Sequence, residues 1–148
     1  MCLAKAVSGG IPMGVTIAKP EVFDSLKSGE HYSTFGGNPL ASAAALASID
    51  IILGEKLPEK SEKNGKYFID QLNSRIADNE IVREIRGIGL MIAVELRLKQ
   101  KKYVSDAIKN GVLFLTSGKT IIRMLPPLTL EKREIDKIID VLVQILKP

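Results

Sequence analysis

The segment from Pro39 to Leu53 constrains the fold of this chain more than any other part of its sequence. It contains only one charged residue, Asp50, and is rich in alanine. Asn38 is a favourable N-cap and Pro39 suits the first helical position, so we predict a helix that is stopped by Gly54. Its small side chains permit other elements to pack closely against it. The helix is too short to span a bilayer.

A glycine-rich segment near the start of the sequence surrounds Lys5. This lysine follows a short apolar run and precedes Gly9, Gly10, Pro12 and Gly14. We therefore predict a tight loop whose backbone closely approaches another group. The apolar and small neighbours should partly desolvate the ammonium group, which favours the neutral amine that nucleophilic chemistry requires. The alternative is a surface lysine before an ordinary glycine turn.

A second glycine-rich segment places Ser33 and Thr34 ahead of Gly36, Gly37 and Asn38. Hydroxyl groups and free backbone N–H groups on such a turn, ahead of a helix, are well suited to binding a phosphate. A capped helix after a turn is the alternative interpretation. It explains Asn38 but leaves the two hydroxyl residues and the paired glycines unexplained.

Two arginines lie in or near apolar strands further along the chain. Arg86 opens the segment RGIGLM, which leads into the alternating strand at residues 92–96, and Arg123 lies inside the apolar strand IIRM. An arginine inside such a strand usually meets a carboxylate, which comes either from the protein or from a ligand. A structural ion pair and a ligand-binding role for Arg123 therefore both stay open.

Residues 54–148 have the pattern of a self-sufficient α+β domain. Apolar periodicity predicts three strands with helices on one side. The predicted strands are 90–96, 112–116 and 120–124, and the last two are joined by a turn at residues 117–118. The predicted helices contain Phe68, Leu72 and Ile76, then residues 101–109, and finally the stripe from Ile135 to Leu146 with Thr129 as its cap. Residues 1–53 predict a separate part with a strand at 15–18 and helices at 20–26 and 39–53.

Composition argues against several other classes of function. The formal net charge is +4 and aromatic residues make up 5% of the chain, so we expect no nucleic-acid binding. The single cysteine, Cys2, excludes an internal disulfide, is typical of a reducing cytoplasm, and is interpreted as a small buried residue. His31 is the only histidine, and the sequence predicts no metal site. It also predicts no membrane span and no signal peptide.

In their order and spacing, the segments LAKAVSGGIPMG, HYSTFGGNPLASAAAL, RGIGLMIAVEL and IIRMLPPLTL resemble the C-terminal part of the class III aminotransferases. These are pyridoxal 5′-phosphate enzymes of fold type I. The resemblance covers essentially the whole chain and implies an α/β fold. Residues 1–53 would be the tail of the large cofactor-binding domain, and residues 54–148 the small C-terminal α+β domain, whose short sheet is covered by helices. The segments are most similar to the acetylornithine and acetyl-lysine branch of the family.

The resemblance implies roles for four residues. Lys5 matches the lysine that binds pyridoxal phosphate covalently and later moves the substrate α-proton. Ser33 and Thr34 match positions that reach the cofactor phosphate of the neighbouring subunit in a homodimer. Arg123 matches the arginine that grips the α-carboxylate of the amino acid or of 2-oxoglutarate. The amino donor would be an N-acetylated or carrier-linked ornithine or lysine.

Members of this family are well over twice as long as this chain. No segment of the chain matches their cofactor phosphate loop, the aromatic ring stacked on the pyridine, or the aspartate paired with the pyridine nitrogen. We therefore expect the isolated chain to be inactive, as a truncated or split product that needs a complementing N-terminal half. The alternative is a non-catalytic domain that acts as an assembly or dimerisation module. A nucleotide-binding role for residues 8–10 is disfavoured, because a P-loop needs its lysine after the glycines.

Overall fold

A computed structural model describes residues 1–147 of the 148-residue chain. The chain forms two compact units, of which the first is Met1–Glu55 and the second begins at Lys56. The large cluster of buried apolar side chains belongs entirely to the second unit and extends from Phe68 to Leu146. Across residues 1–147, no helix has both the length and the apolar character that a membrane crossing requires.

The first unit consists of short elements followed by one long helix. Strands β1 and β2 pair antiparallel, and a 3₁₀ turn lies between them in the chain. The element bounds are β1 Cys2–Leu3, the 3₁₀ turn Lys5–Ser8, β2 Val15–Thr16, α1 Pro20–Phe23 and α2 Pro39–Gly54. The strand and the first helix are thus shorter than predicted. The interpretation of Cys2 as a buried residue was wrong, because its side chain is exposed beside Thr16.

Helix α2 begins as its sequence predicts. The Asn38 side-chain oxygen accepts a hydrogen bond of 3.0 Å from the Ala41 N–H, and its amide nitrogen donates one of 3.0 Å to the Phe35 carbonyl. The helix buries only Ala41 and Ala45 and leaves most of its large side chains exposed, among them Leu40, Leu46, Ile51 and Leu53. Helices that are apolar on all sides are normally covered on all sides. The described residues thus leave much of the apolar surface of α2 open.

The second unit contains a four-stranded antiparallel sheet in the order β3-β4-β6-β5. Its elements are α3 Leu57–Ile76, β3 Val82–Ile88, β4 Met91–Leu96, α4 Lys101–Lys109, β5 Leu115–Ser117, β6 Ile121–Met124 and α5 Lys132–Ile145. The prediction of three strands was wrong because it missed β3. This strand lies at the edge of the sheet and is mostly exposed, so it lacks the apolar alternation that reveals β4.

The core of the second unit lies between the sheet and its helices. One cluster of fully buried side chains comes from the two central strands, β4 and β6, and from helices α3 and α5. It includes Phe68, Leu72, Ile92, Val94, Ile122, Ile135, Ile139 and Leu142. The predicted apolar stripes of α3 and α5 are therefore confirmed. The predicted cap at Thr129 was wrong, because α5 begins after Glu131, whose N–H donates a 2.9 Å hydrogen bond to the Glu134 carboxylate. The turn between β5 and β6 also lies later than predicted, after Ser117.

Helix α3 and the β3–β4 turn approach each other through two glycines. A Cβ atom added to Gly65 would lie 2.0 Å from the Gly89 carbonyl oxygen. Gly89 itself has a φ of +52°, which L side chains rarely adopt. The Ser61 hydroxyl accepts a 3.1 Å hydrogen bond from the Leu90 N–H at the same place. Helix α3 therefore requires a glycine at this position in order to pack against the turn.

Candidate functional site

Lys5 is the first residue of the 3₁₀ turn and has an unusual backbone conformation. Its φ is 59°, whereas Ala4 before it is extended. A left-handed conformation costs a residue other than glycine about 1–2 kcal/mol. Such conformations persist only where the surrounding structure holds them, and they cluster at binding and catalytic sites.

The loop after Lys5 packs tightly against α2. Ser8 is buried and donates a hydrogen bond to the Ile11 carbonyl, and Gly9 closes the turn with a φ of 62°. A Cβ atom on Gly9 would lie 3.0 Å from the Ser48 hydroxyl, which shares one face of α2 with the buried Ala45. The predicted tight loop with a close backbone approach is confirmed. Helix α2 therefore holds the backbone that presents Lys5.

The Lys5 side chain itself is exposed in this chain, and so are Ala4 and Ala6. The described residues therefore do not desolvate the Lys5 amine as expected. Packing against α2 fixes the backbone of the loop but leaves the side chain exposed. None of the ion pairs among residues 1–147 includes Lys5. Its amine is consequently available to a carbonyl group that approaches from solvent.

Ser33 and Thr34 lie in an exposed turn that leads to α2. The Gly36 N–H donates to the Ser33 carbonyl at 3.4 Å, and a Cβ atom on Gly36 would lie 2.9 Å from the Ser33 Cβ. Gly37 has a φ of +67°. The two glycines thus shape a turn that presents both hydroxyls to solvent. An amine and hydroxyls of this kind fit pyridoxal phosphate, which offers an aldehyde and a phosphate, although no hydrogen bond among the described residues joins Lys5 to this turn.

Arg123 belongs to the second unit and lies on the face of the sheet opposite the core. It pairs with Ala93 of β4 and with Leu115 of β5, while its neighbours Ile122 and Met124 are buried in the core. The Arg123 side chain is partly buried, and its Nε atom is buried without a hydrogen-bond partner among the described residues. None of the ion pairs among residues 1–147 includes Arg123. A carboxylate ligand would satisfy the orphaned donor.

An open cleft of about 560 Å³ lies beside Arg123. Apolar side chains form much of its wall, including Leu113, Phe114 and Leu125. Its charged lining consists of Arg123, Glu134 and Lys137, so two of the three charges are positive. Because Glu134 and Lys137 belong to α5, which packs on the core face of the sheet, the cleft extends to the side of the sheet away from the open face.

Sequence reasoning missed a cluster of charges on the same face of the sheet. Glu95 of β4 accepts hydrogen bonds from Arg83 at 3.1 Å and from Arg86 at 2.8 Å, and Arg86 also donates to Glu84 at 2.6 Å. The hydrogen bond to Glu95 is the main cause that raises the pKa of the Arg86 guanidinium, and burial opposes it. The alternation of β4 places Glu95 on the face of Arg123, but the partners of Glu95 come from the undetected strand β3.

The chain is similar to proteins of one family along nearly its whole length. Residues 1–146 match the family described as Aminotransferase class-III. The acetylornithine aminotransferase of Methanosarcina mazei is 47% identical over 144 residues, which cover 97% of this chain and 35% of the relative. The acetylornithine aminotransferase of Methanothermobacter thermautotrophicus is 42% identical over 144 residues, which cover 97% of this chain and 37% of the relative.

A solved structure of ornithine δ-aminotransferase from Plasmodium falciparum superposes with a TM-score of 0.92 at 34% identity. The superposition covers 98% of this chain and 38% of that structure. The predicted α/β architecture is thereby confirmed. The chain spans a little over a third of the length of the relatives that it matches.

Proposed function

Because this chain belongs to the class-III aminotransferase family, we propose that it supplies a lysine and a carboxylate-binding arginine to a pyridoxal-phosphate aminotransferase. The proposed reaction moves an amino group between an N-acetylated or carrier-linked ornithine or lysine and 2-oxoglutarate. The names of its relatives, which are acetylornithine and ornithine aminotransferases, support this substrate class. Ornithine without an acyl group is the nearest alternative donor.

Lys5 is proposed to hold the cofactor and to move a proton. When bound, pyridoxal phosphate withdraws electrons from the substrate Cα and so makes the α-hydrogen acidic. The Lys5 Nζ would take this proton and return it to another carbon, as a general base and then a general acid. The exposed, unpaired amine on a backbone of positive φ supports this assignment. Enclosure by further polypeptide would add the desolvation that favours a neutral amine.

Ser33 and Thr34 are proposed to donate hydrogen bonds to the cofactor phosphate of a neighbouring subunit in a homodimer. Their turn is exposed and is shaped by Gly36 and Gly37, so both hydroxyls can donate to a phosphate that another subunit holds. A turn of this kind ahead of a helix N-terminus favours an anion. The domain assignment, with residues 1–53 in a large domain and 54–148 in a small one, belongs to the same proposal.

Arg123 is proposed to bind the carboxylate of each substrate in turn. The single observation that carries the proposal is its buried Nε atom, which has no partner in residues 1–147. A planar guanidinium holds a carboxylate through two parallel hydrogen bonds, which fix the orientation of the attached carbon.

The proposal is tested by reconstitution. The chain is co-expressed with the portion of the Methanosarcina mazei relative that precedes its matched region, and the complex is assayed with acetylornithine and 2-oxoglutarate. Borohydride reduction followed by peptide mass spectrometry should then locate the pyridoxyl group on Lys5. A stable complex that binds pyridoxal phosphate on another lysine would contradict the assignment.

The second candidate function is a non-catalytic assembly module. The exposed apolar side chains of α2, such as Leu40 and Leu53, favour it because they form a surface that other polypeptide would cover. The same reconstitution separates the two functions. A complex that assembles but neither binds the cofactor nor transfers an amino group would identify an assembly module.

A further inference from the structure

We propose that Arg86, assisted by Arg83, holds the Glu95 carboxylate away from Arg123 and so keeps Arg123 free for the carboxylate of a substrate. Arg86 is therefore a positioning residue, which acts on the ligand through Glu95. The inference rests on the proposed role of Arg123 and deepens it. It assigns a purpose to the charged cluster on the open face of the sheet.

The register of the sheet brings Glu95 close to Arg123. Strands β4 and β6 pair Ala93 with Arg123 and Glu95 with Ile121, so Glu95 is the diagonal neighbour of Arg123 on the same face. Diagonal neighbours of an antiparallel pair are about 7–8 Å apart, within reach of long side chains. Glutamate and arginine are both long enough to meet across this diagonal. Without another partner, Glu95 would be a natural counter-ion for Arg123.

Both carboxylate oxygens of Glu95 instead contact arginines of β3, which lies on the side of β4 away from β6. Arg83 Nη1 lies 3.1 Å from Glu95 Oε1, and Arg86 Nη1 lies 2.8 Å from Glu95 Oε2. The side chain of Glu95 is only 16% exposed, so water competes weakly for it. A register shift between Val82 and Glu84 makes Arg83 an extra residue in β3. A bulge of this kind re-aims side chains, which explains how two arginines of one strand reach a single carboxylate.

Arg86 is the more important of the two arginines because it also contacts Glu84. Glu84 and Glu95 are directly opposite in the register, and like charges in that arrangement repel each other. Arg86 Nη1 lies 2.6 Å from Glu84 and 2.8 Å from Glu95, so it bridges the two carboxylates and reduces their repulsion. If the Arg86 charge is removed, Glu84 repels Glu95 and Arg123 becomes the favourable partner. The internal carboxylate would then compete with the substrate.

The test is a titration of the 148-residue chain with sodium 2-oxoglutarate at constant ionic strength. The readout is the NMR signal of the Arg123 Nε–H group, assigned by its loss in Arg123→Lys. In Arg86→Met the apparent affinity should fall about tenfold, which corresponds to an internal ion pair that occupies Arg123 nine times in ten. The double variant Arg86→Met with Glu95→Gln should restore the affinity to within about twofold, because the competitor is then neutral.

The matched control is Arg75→Met, which removes an arginine that pairs with Asp140 at 2.7 Å between α3 and α5. It makes the same change of charge and should leave the affinity unchanged. If Arg86→Met does not fold, Arg83→Met takes its place. That variant removes one contact to Glu95 and should show a smaller loss, which Glu95→Gln again reverses.

The outcomes separate this inference from the proposed function. Wild-type affinity in Arg86→Met, or a loss that Glu95→Gln does not reverse, would overturn the inference and leave the role of Arg123 intact. The same holds if thermal melts show a loss of stability without a change of affinity, since that would mark the cluster as purely structural. No response of the Arg123 signal in the wild-type chain would overturn both.

Discussion

The backbones of Gly65 and Gly89 meet so closely that a methyl group on Gly65 would lie 2.0 Å from the Gly89 carbonyl oxygen. The contact joins α3 to the β3–β4 turn, and the same turn begins the strand that carries Glu95. Real Cβ atoms do not approach a carbonyl oxygen this closely, so the helix and the turn would have to separate. The nearest atoms of Gly89 all belong to the backbone, so no flexible side chain can move aside.

Gly65→Ala should therefore lower the free energy of unfolding by about 1–3 kcal/mol or more, as overpacking does. Helix propensity alone would raise it by up to about 1 kcal/mol, so the sign of the change is diagnostic. Gly54→Ala is the matched control, because an added Cβ there meets nothing within 4 Å. Urea denaturation of both variants measures the difference, and a Gly65→Ala protein as stable as the wild type would refute the close contact.

Without further polypeptide, the 148-residue chain should show no measurable aminotransferase activity. Lys5, Ser33 and Thr34 are all exposed, and an open site leaves the reacting groups solvated by water. The assay mixes the pure chain with pyridoxal phosphate, acetylornithine and 2-oxoglutarate. Turnover under these conditions would show that the chain completes its own active site.

In the reconstituted complex, Lys5→Ala should abolish both covalent cofactor attachment and turnover while the melting temperature stays near that of the wild type. The side chain is exposed, so its removal leaves no cavity. Lys19→Ala, a second exposed lysine of the first unit, serves as the control and should retain both properties. Retention of attachment and rate in Lys5→Ala would show that another lysine does the chemistry.

Arg123→Lys distinguishes ligand binding from a structural role. The substitution keeps the charge and loses the two-pronged geometry, so kcat/KM of the complex should fall by about 2–3 kcal/mol, as is typical of charge-assisted contacts. The thermal stability of the 148-residue chain should barely change, because Arg123 Nε bonds to none of the described residues. A large drop in melting temperature would count against the substrate-binding role.

Local signals in the sequence were sufficient for most of the fold. Asn38 and Pro39 predict the start of α2, and the apolar spacing of Phe68, Leu72 and Ile76 predicts the buried face of α3, because caps and periodicity act over one or two turns. The motifs around Lys5 and Arg123 were likewise sufficient to identify the family. These features depend on neighbours that are close in the chain.

Only the tertiary structure decided the surroundings of the candidate site residues. Strand β3 was missed because an edge strand needs no apolar alternation. The contacts of Arg83 and Arg86 with Glu95 could not be predicted without that strand. The exposure of Lys5, the orphaned Nε of Arg123 and the obligatory glycine at position 65 were equally invisible. Strand register and burial depend on which distant segments meet, and no short-range pattern of residues encodes that choice.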